Sequence, residues 1–253
     1  MPIAVSAREA NENRVGNTFP EVIAKPFYRS LYFGSPPARG GSADENKKAM
    51  PQAYLIEQPA NSEVAAHFHD TNQFQVFVHG KGAFGKKPFD GVMVHYAKAH
   101  TTYGPISAGD DGAHYMTLRN NWDSGAKLMP ANRDKLRKIK RLHRVAEEVP
   151  VPDAAALKSV AVETADLIPL EEDGLGVRQF NIGPGHECAI TLETNGAGGY
   201  AYVVGGSVRY DGDEYETKSL IYRAHDDAPL AVKGGTEGAS VLLLQFPPEP
   251  DGE

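Results

Sequence analysis

The chain repeats itself. Setting Gly80, which closes Phe74-Gln75-Val76-Phe77-Val78-His79, on Gly205, which closes Tyr200-Ala201-Tyr202-Val203-Val204, gives an offset of 125 residues. The same offset puts His100 on His225, and with a drift of one residue it puts Asp111–Leu118 on Glu237–Leu244. A unit built twice must bury its own apolar face in each copy, so the period limits the fold to a tandem of two similar cores. Within each copy, apolar runs such as Val92-Met93-Val94-His95-Tyr96 and Ser240–Phe246 are short, and 26 Gly and 18 Pro punctuate them. That spacing favours antiparallel sandwiches or barrels over alternating strand-helix units.

Composition closes off other classes. At 41% hydrophobic and 23% charged residues the chain is ordinary globular material. Its longest aliphatic stretch, Val241-Leu242-Leu243-Leu244, falls far short of the roughly 20 residues needed to cross a bilayer, so no membrane partner is expected. The start, MPIAVSAREANENRV, lacks the basic and apolar regions of a secretion signal, which makes the cytoplasm the expected location. A single cysteine, Cys188, forbids an internal disulfide or a Cys-cluster zinc site and reads as a small buried apolar residue.

A net charge of −7 argues against nucleic-acid binding, which is driven by Lys and Arg at phosphates. One segment runs the other way: residues 127–144 hold eight Lys or Arg and one Asp. Leu136, Ile139 and Leu142 recur there at i, i+3 and i+6, as on an amphipathic helix docked by one face. Pro150-Val151-Pro152 resists continuing a helix. The expected organisation is therefore an N-terminal arm over 1–45, a first β unit over 46–126, a basic helical linker over 127–153 and a second β unit over 154–253. The arm supplies an extra strand or reaches a partner chain, and a homodimer is the expected assembly.

The chemistry concentrates in His67-Phe68-His69-Asp70-Thr71-Asn72-Gln73. Residues two apart on a strand face the same way, so His67 and His69 can offer imidazoles to one point. Gln73 lies beyond a turn at Asp70-Thr71-Asn72 and can bring a carbonyl oxygen to that point from the next strand. Neutral imidazoles with an oxygen donor suit Fe, Mn, Ni, Zn or Cu. Gln75 and Phe77 share the parity of Gln73 and should face the same interior, as substrate-pocket residues, and His95 is a further candidate for the pocket wall.

These residues resemble the first motif of the cupin superfamily, G-x5-H-x-H-x3,4-E-x6-G. His67, His69 and Gly80 match it, with Gln73 where the family usually has Glu, and Asn61 where it has its leading Gly. The second motif, G-x5-P-x-G-x2-H-x3-N, fits badly. Its histidine is expected near Thr102 or Tyr103, and neither is one. Three residues compete for that role: His100 nearby, Tyr103 at the expected place, and His114, whose counterpart in the second copy is Ser240.

The resemblance implies a mainly β bicupin, two double-stranded β-helix barrels, with one divalent transition metal in the first barrel, iron foremost. His67, His69, Gln73 and His100 are the expected ligands, with Tyr103 and His114 as alternatives or proton carriers. It further implies a metal-dependent enzyme acting on a small organic molecule, most often a dioxygenase. A non-redox isomerase, lyase or decarboxylase and a non-catalytic ligand-binding or structural bicupin are the alternatives. In the second copy the offset sets Leu192, Thr194 and Gly198 where ligands would be, so that barrel is expected to be a scaffold.

Overall fold

A computed structural model describes residues 1–34, 51–193 and 195–249. The chain forms two β units and visits them in interleaved order. Residues 13–149 and Glu249 make one, the N-terminal unit; Met1–Glu12 and Pro150–Pro248 make the other. The expected boundaries were contiguous. The expected arm is instead divided: β1 (Ile3–Val5) and helix α1 (Ala7–Glu12) belong to the C-terminal unit, and β2 (Arg14–Asn17) and β3 (Phe27–Phe33) belong to the N-terminal one. The remainder of that arm, 35–45, and positions 46–50 of the expected first barrel lie outside the described residues.

The N-terminal unit continues with β4 (Gln52–Gln58), β5 (Glu63–Val64), β6 (His67–Phe68), β7 (Gln73–Phe84), β8 (Lys87–Asp90), β9 (Met93–Ala97), β10 (Ile106–Arg119), β11 (Lys127–Leu128) and β12 (His143–Ala146). An antiparallel sheet runs β12-β9-β7-β10-β4-β3-β2, with β5 on β10 and β8 on β7, and β6 pairs with β11 apart from it. The long strands β7 and β10 bend together, and the register slips between Ala108 and Ala113. At the bend Gly80 has φ +83°, and a Cβ there would lie 2.0 Å from the Gly112 carbonyl oxygen, so no other residue fits.

Strand alternation then sorts the side chains. Phe27 and Arg29 on β3, Tyr54 and Ile56 on β4, Gln73 and Gln75 on β7, and Tyr115, Thr117 and Arg119 on β10 all face one cavity. Beneath it packs an apolar cluster that includes Phe77, Phe89, Met93 and Ile106. The fully buried Phe77 ring sits 4.6 Å from Phe89 and 5.0 Å from Tyr115, and truncating a residue so placed costs about 3–5 kcal/mol.

The C-terminal unit adds helix α2 (Ala154–Leu157), capped by Asp153 accepting from the Ala156 N–H at 2.8 Å. Its strands are β13 (Val162–Ile168), β14 (Gly176–Ile182), β15 (Glu187–Ile190), β16 (Gly199–Tyr210), β17 (Asp213–Glu216), β18 (Leu220–Arg223) and β19 (Leu230–Gln245). The order β1-β18-β16-β19-β14-β13, with β15 on β19 and β17 on β16, repeats the plan of the first unit.

The repeat is real, but its offset is not one number. Gly206 approaches the Gly238 oxygen as Gly80 approaches Gly112, and β7 maps on β16 and β10 on β19 at the ends Arg119 and Gln245, so Gly206 rather than Gly205 is the counterpart of Gly80. Insertions fall in connecting loops, where the backbone absorbs them, so an ungapped offset drifts. By register, Arg119 pairs with Gln73 as Gln245 pairs with Gly199, which makes Gly199 the counterpart of Gln73. Gln75, Tyr115 and Thr117 likewise correspond to Ala201, Val241 and Leu243, which pack an aliphatic core. The second interior is filled where the first is hollow. Thr194, expected opposite His69, lies outside the described residues.

The basic segment is not an α-helix. It holds β11, one 3₁₀ turn at Arg133–Lys135, and the start of β12. Leu136, Ile139 and Leu142 are half-buried all the same, and a spacing of three also suits 3₁₀ turns, which bring i and i+3 to one side. An α-helix would have stacked Arg133, Arg137 and Arg141 at i, i+4, a repulsive arrangement. Leu142 instead bonds like a strand residue, accepting from Lys98 N–H at 3.0 Å and donating to Thr101 Oγ1 at 3.2 Å. Among the described residues no helix is long and apolar enough to cross a membrane.

Candidate functional site

His67 is fixed from both sides. Its backbone exchanges two hydrogen bonds with Tyr103, at 3.0 and 2.9 Å, and its Cα pairs with Leu128 on β11. Its Nδ1 lies 2.7 Å from the Ala65 carbonyl oxygen, which can only accept, so the proton sits on Nδ1 and Nε2 keeps a lone pair. His69 repeats the device with a carboxylate: its Nδ1 is 2.6 Å from Asp123 Oδ1. The two rings stand 5.2 Å apart and nearly perpendicular, and both line a cavity of about 230 Å3. Burial pushes both imidazoles toward the neutral form, His67 to about 3, with the neighbouring His69 adding to the shift.

Asp123 is fully buried and accepts also from the N–H groups of Asp70 at 2.9 Å and Gly125 at 2.8 Å. Burial alone would raise its carboxyl, but His69, Arg119 and Lys127 together hold it well below the ordinary carboxylate range. It is therefore an anion that orients His69 and raises the basicity of its Nε2, as carboxylates behind metal-bound histidines do.

Gln73 is held at both ends of its amide. Arg119 Nε donates to its Oε1 at 2.9 Å, and its Nε2 donates to Tyr103 Oη at 2.6 Å. Guanidinium has no acceptor, so this amide has one possible orientation. Arg119 also donates to Gln52 Oε1 at 3.1 Å, and its Nη2 lies 3.2 and 3.3 Å from the two nitrogens of His69. With its proton on Nδ1, His69 can accept from Arg119 only at Nε2, 3.3 Å away, so an ion bound at His69 Nε2 would displace this contact. Burial raises the Tyr103 phenol, which stays protonated.

These donors fit a transition metal. Two neutral imidazoles present Nε2 to one cavity, Gln73 Oε1 keeps a second lone pair beyond the one Arg119 uses, and Tyr103 Oη keeps one beyond the bond from Gln73. Among the described residues no three of His, Cys, Asp and Glu converge on a point, so the set is neutral and its nearest anion, Asp123, acts through His69.

The remaining candidates are distributed differently. Gln75 lines the cavity, while Phe77 lies in the core beneath it. His95 stands behind the wall, its Nδ1 3.3 Å from Gln75 Oε1 and its Nε2 3.1 Å from His143 Nδ1. His100 is not brought to the cavity. Its backbone is left-handed at φ +56°, its N–H donates to the His69 carbonyl at 2.8 Å, and its ring packs 5.6 Å from Phe68. His114 has the opposite parity to Tyr115 and Thr117, and its ring lies 4.6 Å from that of His79, tilted by 51°. Of the three competitors, the structure sets Tyr103 beside His67, ring centroids 4.5 Å apart.

Three residues were not anticipated: Arg119, Asp123 and Arg29. Arg29 and Arg119 carried a readable signal, a cation at inward parity in Phe27–Phe33 and in Tyr115–Arg119. Asp123 carried none, since it follows the strand in Asn120-Asn121-Trp122-Asp123 and only the fold brings it to His69.

No family model matches the sequence, and no curated protein matches it. Solved structures match over nearly its whole length. A proposed dioxygenase from Nostoc punctiforme PCC 73102 superposes with TM-score 0.67 at 11% identity, over 97% of this chain and 82% of that one. An oxalate decarboxylase from Lactobacillus farciminis gives 0.59 at 11%, over 99% and 88%. A bacterial pirin from Escherichia coli, in complex with nickel(II), gives 0.56 at 14%, over 98% and 100%. At such identities the likeness is one of fold. That fold, two antiparallel β units in succession, is the one the cupin resemblance implies.

Proposed function

We infer that the N-terminal barrel is the working half of a metal-dependent enzyme acting on a small organic molecule, with dioxygenase chemistry as the leading reaction class. The observation that carries this reading is that His67 and His69 line one cavity, each ring held through its Nδ1 so that Nε2 keeps the lone pair. His67 and His69 would hold the ion, with Gln73 and Tyr103 as oxygen donors. A divalent transition metal there supplies Lewis acidity and, for iron, one-electron chemistry with O2.

The protein's own groups do the rest. Ala65 and Asp123 fix the imidazoles in the tautomer that leaves Nε2 basic. Tyr103, kept as a neutral phenol, is a proton donor for an oxygen that gains negative charge, and the buried Arg119 stabilises such charge electrostatically. Phe27, Ile56, Val64 and Tyr115 give the cavity an apolar wall beside the polar groups. The C-terminal barrel, aliphatic at the matching positions, serves as scaffold.

A second reading follows from the neutral donor set. Without a carboxylate on the ion, its full charge is available to polarise substrate, which favours Lewis-acid chemistry of the isomerase, lyase or decarboxylase kind. Elemental analysis of purified protein with an oxygen-uptake screen tests both. About one metal per chain is expected, lost in His67→Ala/His69→Ala; substrate turnover without oxygen uptake selects the second reading. Full metal content in the double variant, or a wild type that takes up none on reconstitution, overturns the metal site.

A further inference from the structure

We propose that the ligand of this cavity is a small organic carboxylate with an apolar body, its carboxylate held by Arg29. The proposal rests on the reading that this cavity is the substrate site, and narrows it to a substrate class. Arg29 faces inward from β3, opposite Ile56 on β4, which in turn lies opposite Tyr115 on β10. It lines the cavity, and its Nε is buried without a hydrogen-bond partner. Among the described residues no carboxylate pairs with it.

Its neighbours make the imbalance sharper. The Arg29 guanidinium lies 5.4 Å from the centre of the Tyr54 ring, and the guanidinium 5.5 Å from that same ring is Arg119, a second cation. Burial disfavours the charge on Arg29, and Arg119 adds to the effect. Elsewhere in the unit comparable charges are matched: Arg14 bonds both oxygens of Glu57, at 2.7 and 2.8 Å, and Asp123 is engaged by His69 and two backbone N–H groups. An unmatched, partly buried cation is costly unless an anion arrives to meet it.

The rest of the wall describes the rest of the ligand. Phe19, Ile23, Phe27, Ile56, Val64 and Tyr115 give it an apolar lining. A dry cavity of about 150 Å3 takes up benzene, so about 230 Å3 has room for a ring or short chain bearing a carboxylate. One unmatched guanidinium balances one negative charge in a planar fork, which suits a carboxylate better than a phosphate monoester of nearly two charges.

The test is calorimetric titration of the full chain, with and without reconstituted metal, using benzoate, cyclohexanecarboxylate, hexanoate, neutral benzamide and inorganic phosphate, with metal content measured in parallel. Carboxylates are expected to bind at least about tenfold more tightly than benzamide or phosphate. Arg29→Gln should weaken benzoate about 10- to 100-fold, leaving benzamide and metal content unchanged. Arg29→Lys, which keeps the charge, should retain the preference for carboxylate at reduced affinity, and carries the test if Arg29→Gln does not fold. Failure of every carboxylate to bind, equal binding of benzoate and benzamide, or unchanged benzoate affinity in a folded Arg29→Gln overturns the proposal. A metal-free wild type that binds benzoate through Arg29 removes the metal reading and keeps this one; a metal-loaded wild type that does not distinguish benzoate from benzamide does the reverse.

Discussion

Asp123→Asn isolates the charge behind His69 with little change of shape. Asp123 receives three donors: His69 and Gly125 on Oδ1, and Asp70 N–H on Oδ2 at 2.9 Å. An asparagine carbonyl can serve the first two, but its NH2 then points at the Asp70 N–H, so one buried donor loses its acceptor at about 1–3 kcal/mol. The lost anion also leaves Arg119, 3.9 Å away, without its buried counter-charge, whereas Lys127 keeps its pair with Asp70, and breaking such a buried pair costs about 3–5 kcal/mol. The two penalties overlap, and about 3 kcal/mol is a reasonable total, or a melting temperature about 10 °C lower for a unit of this size. Metal affinity should fall about 10- to 100-fold, because His69 Nε2 becomes less basic. The assay is thermal denaturation of chelated protein at pH 7, followed by chelator competition for zinc. Because the Asp123 carboxyl is depressed in the folded state, its contribution is fully present above about pH 4 and is lost as the pH falls through its folded value. The gap between wild type and variant should thus be flat from pH 8 to 5 and narrow below pH 4. Melting temperatures within 1–2 °C and zinc affinities within twofold would show that Asp123 does not support His69.

Gln73→Glu should tighten divalent metal binding by adding a negative charge to a side chain that lines the cavity, and unchanged affinity in the same competition would mean that Gln73 does not face the ion. Burial raises the Glu249 carboxyl to about 7, against hydrogen bonds from Asn72 N–H at 3.1 Å and from Asn121. The folded state thus holds its proton where the unfolded chain has lost it, and stability falls as pH rises from about 4.5 to 7. Glu249→Gln should be neutral in urea melts below pH 4.5 and stabilise at pH 8 by up to about 3 kcal/mol; an equal effect at both would refute the assignment. Gly80→Ala should abolish soluble N-terminal barrel, whereas Gly91→Ala, with φ +87° but nothing within 4 Å of the added methyl, should cost only about 1 kcal/mol in denaturant melts.

What the sequence disclosed follows the range of each signal. Parity along a strand is local, so His67, His69, Gln73 and Gln75 could be assigned to one interior before any coordinates. The choice among His100, Tyr103 and His114 could not, because it depends on how Lys98–Pro105 turns, and the left-handed backbone at His100 sends its ring toward Phe68. Asp123 and Arg119 meet His69 from 54 and 50 residues away, contacts that no spacing rule reaches. The two barrels were visible as a repeat, yet an ungapped offset misassigned counterparts once loop lengths differed. The helix expected over 127–144 failed because a period of three in apolar residues is shared by 3₁₀ turns, and three spaced positions are too few to tell the two apart.

The interleaved order of the chain bears on how it can be made and dissected. Ile3, Ala4 and Val5 pair with Tyr222, Ile221 and Leu220, so the opening strand stays without its partner until most of the polypeptide has left the ribosome. A fragment cut out at residue 150 to stand for the C-terminal barrel would carry a raw edge at Leu220–Arg223, primed to capture the same three residues from another molecule. Attempts to express the C-terminal half alone should therefore give exchanged or aggregated material unless the short opening segment is supplied in trans or grafted on. A circular permutant that joins it to the end of the C-terminal half would be the construction to try first.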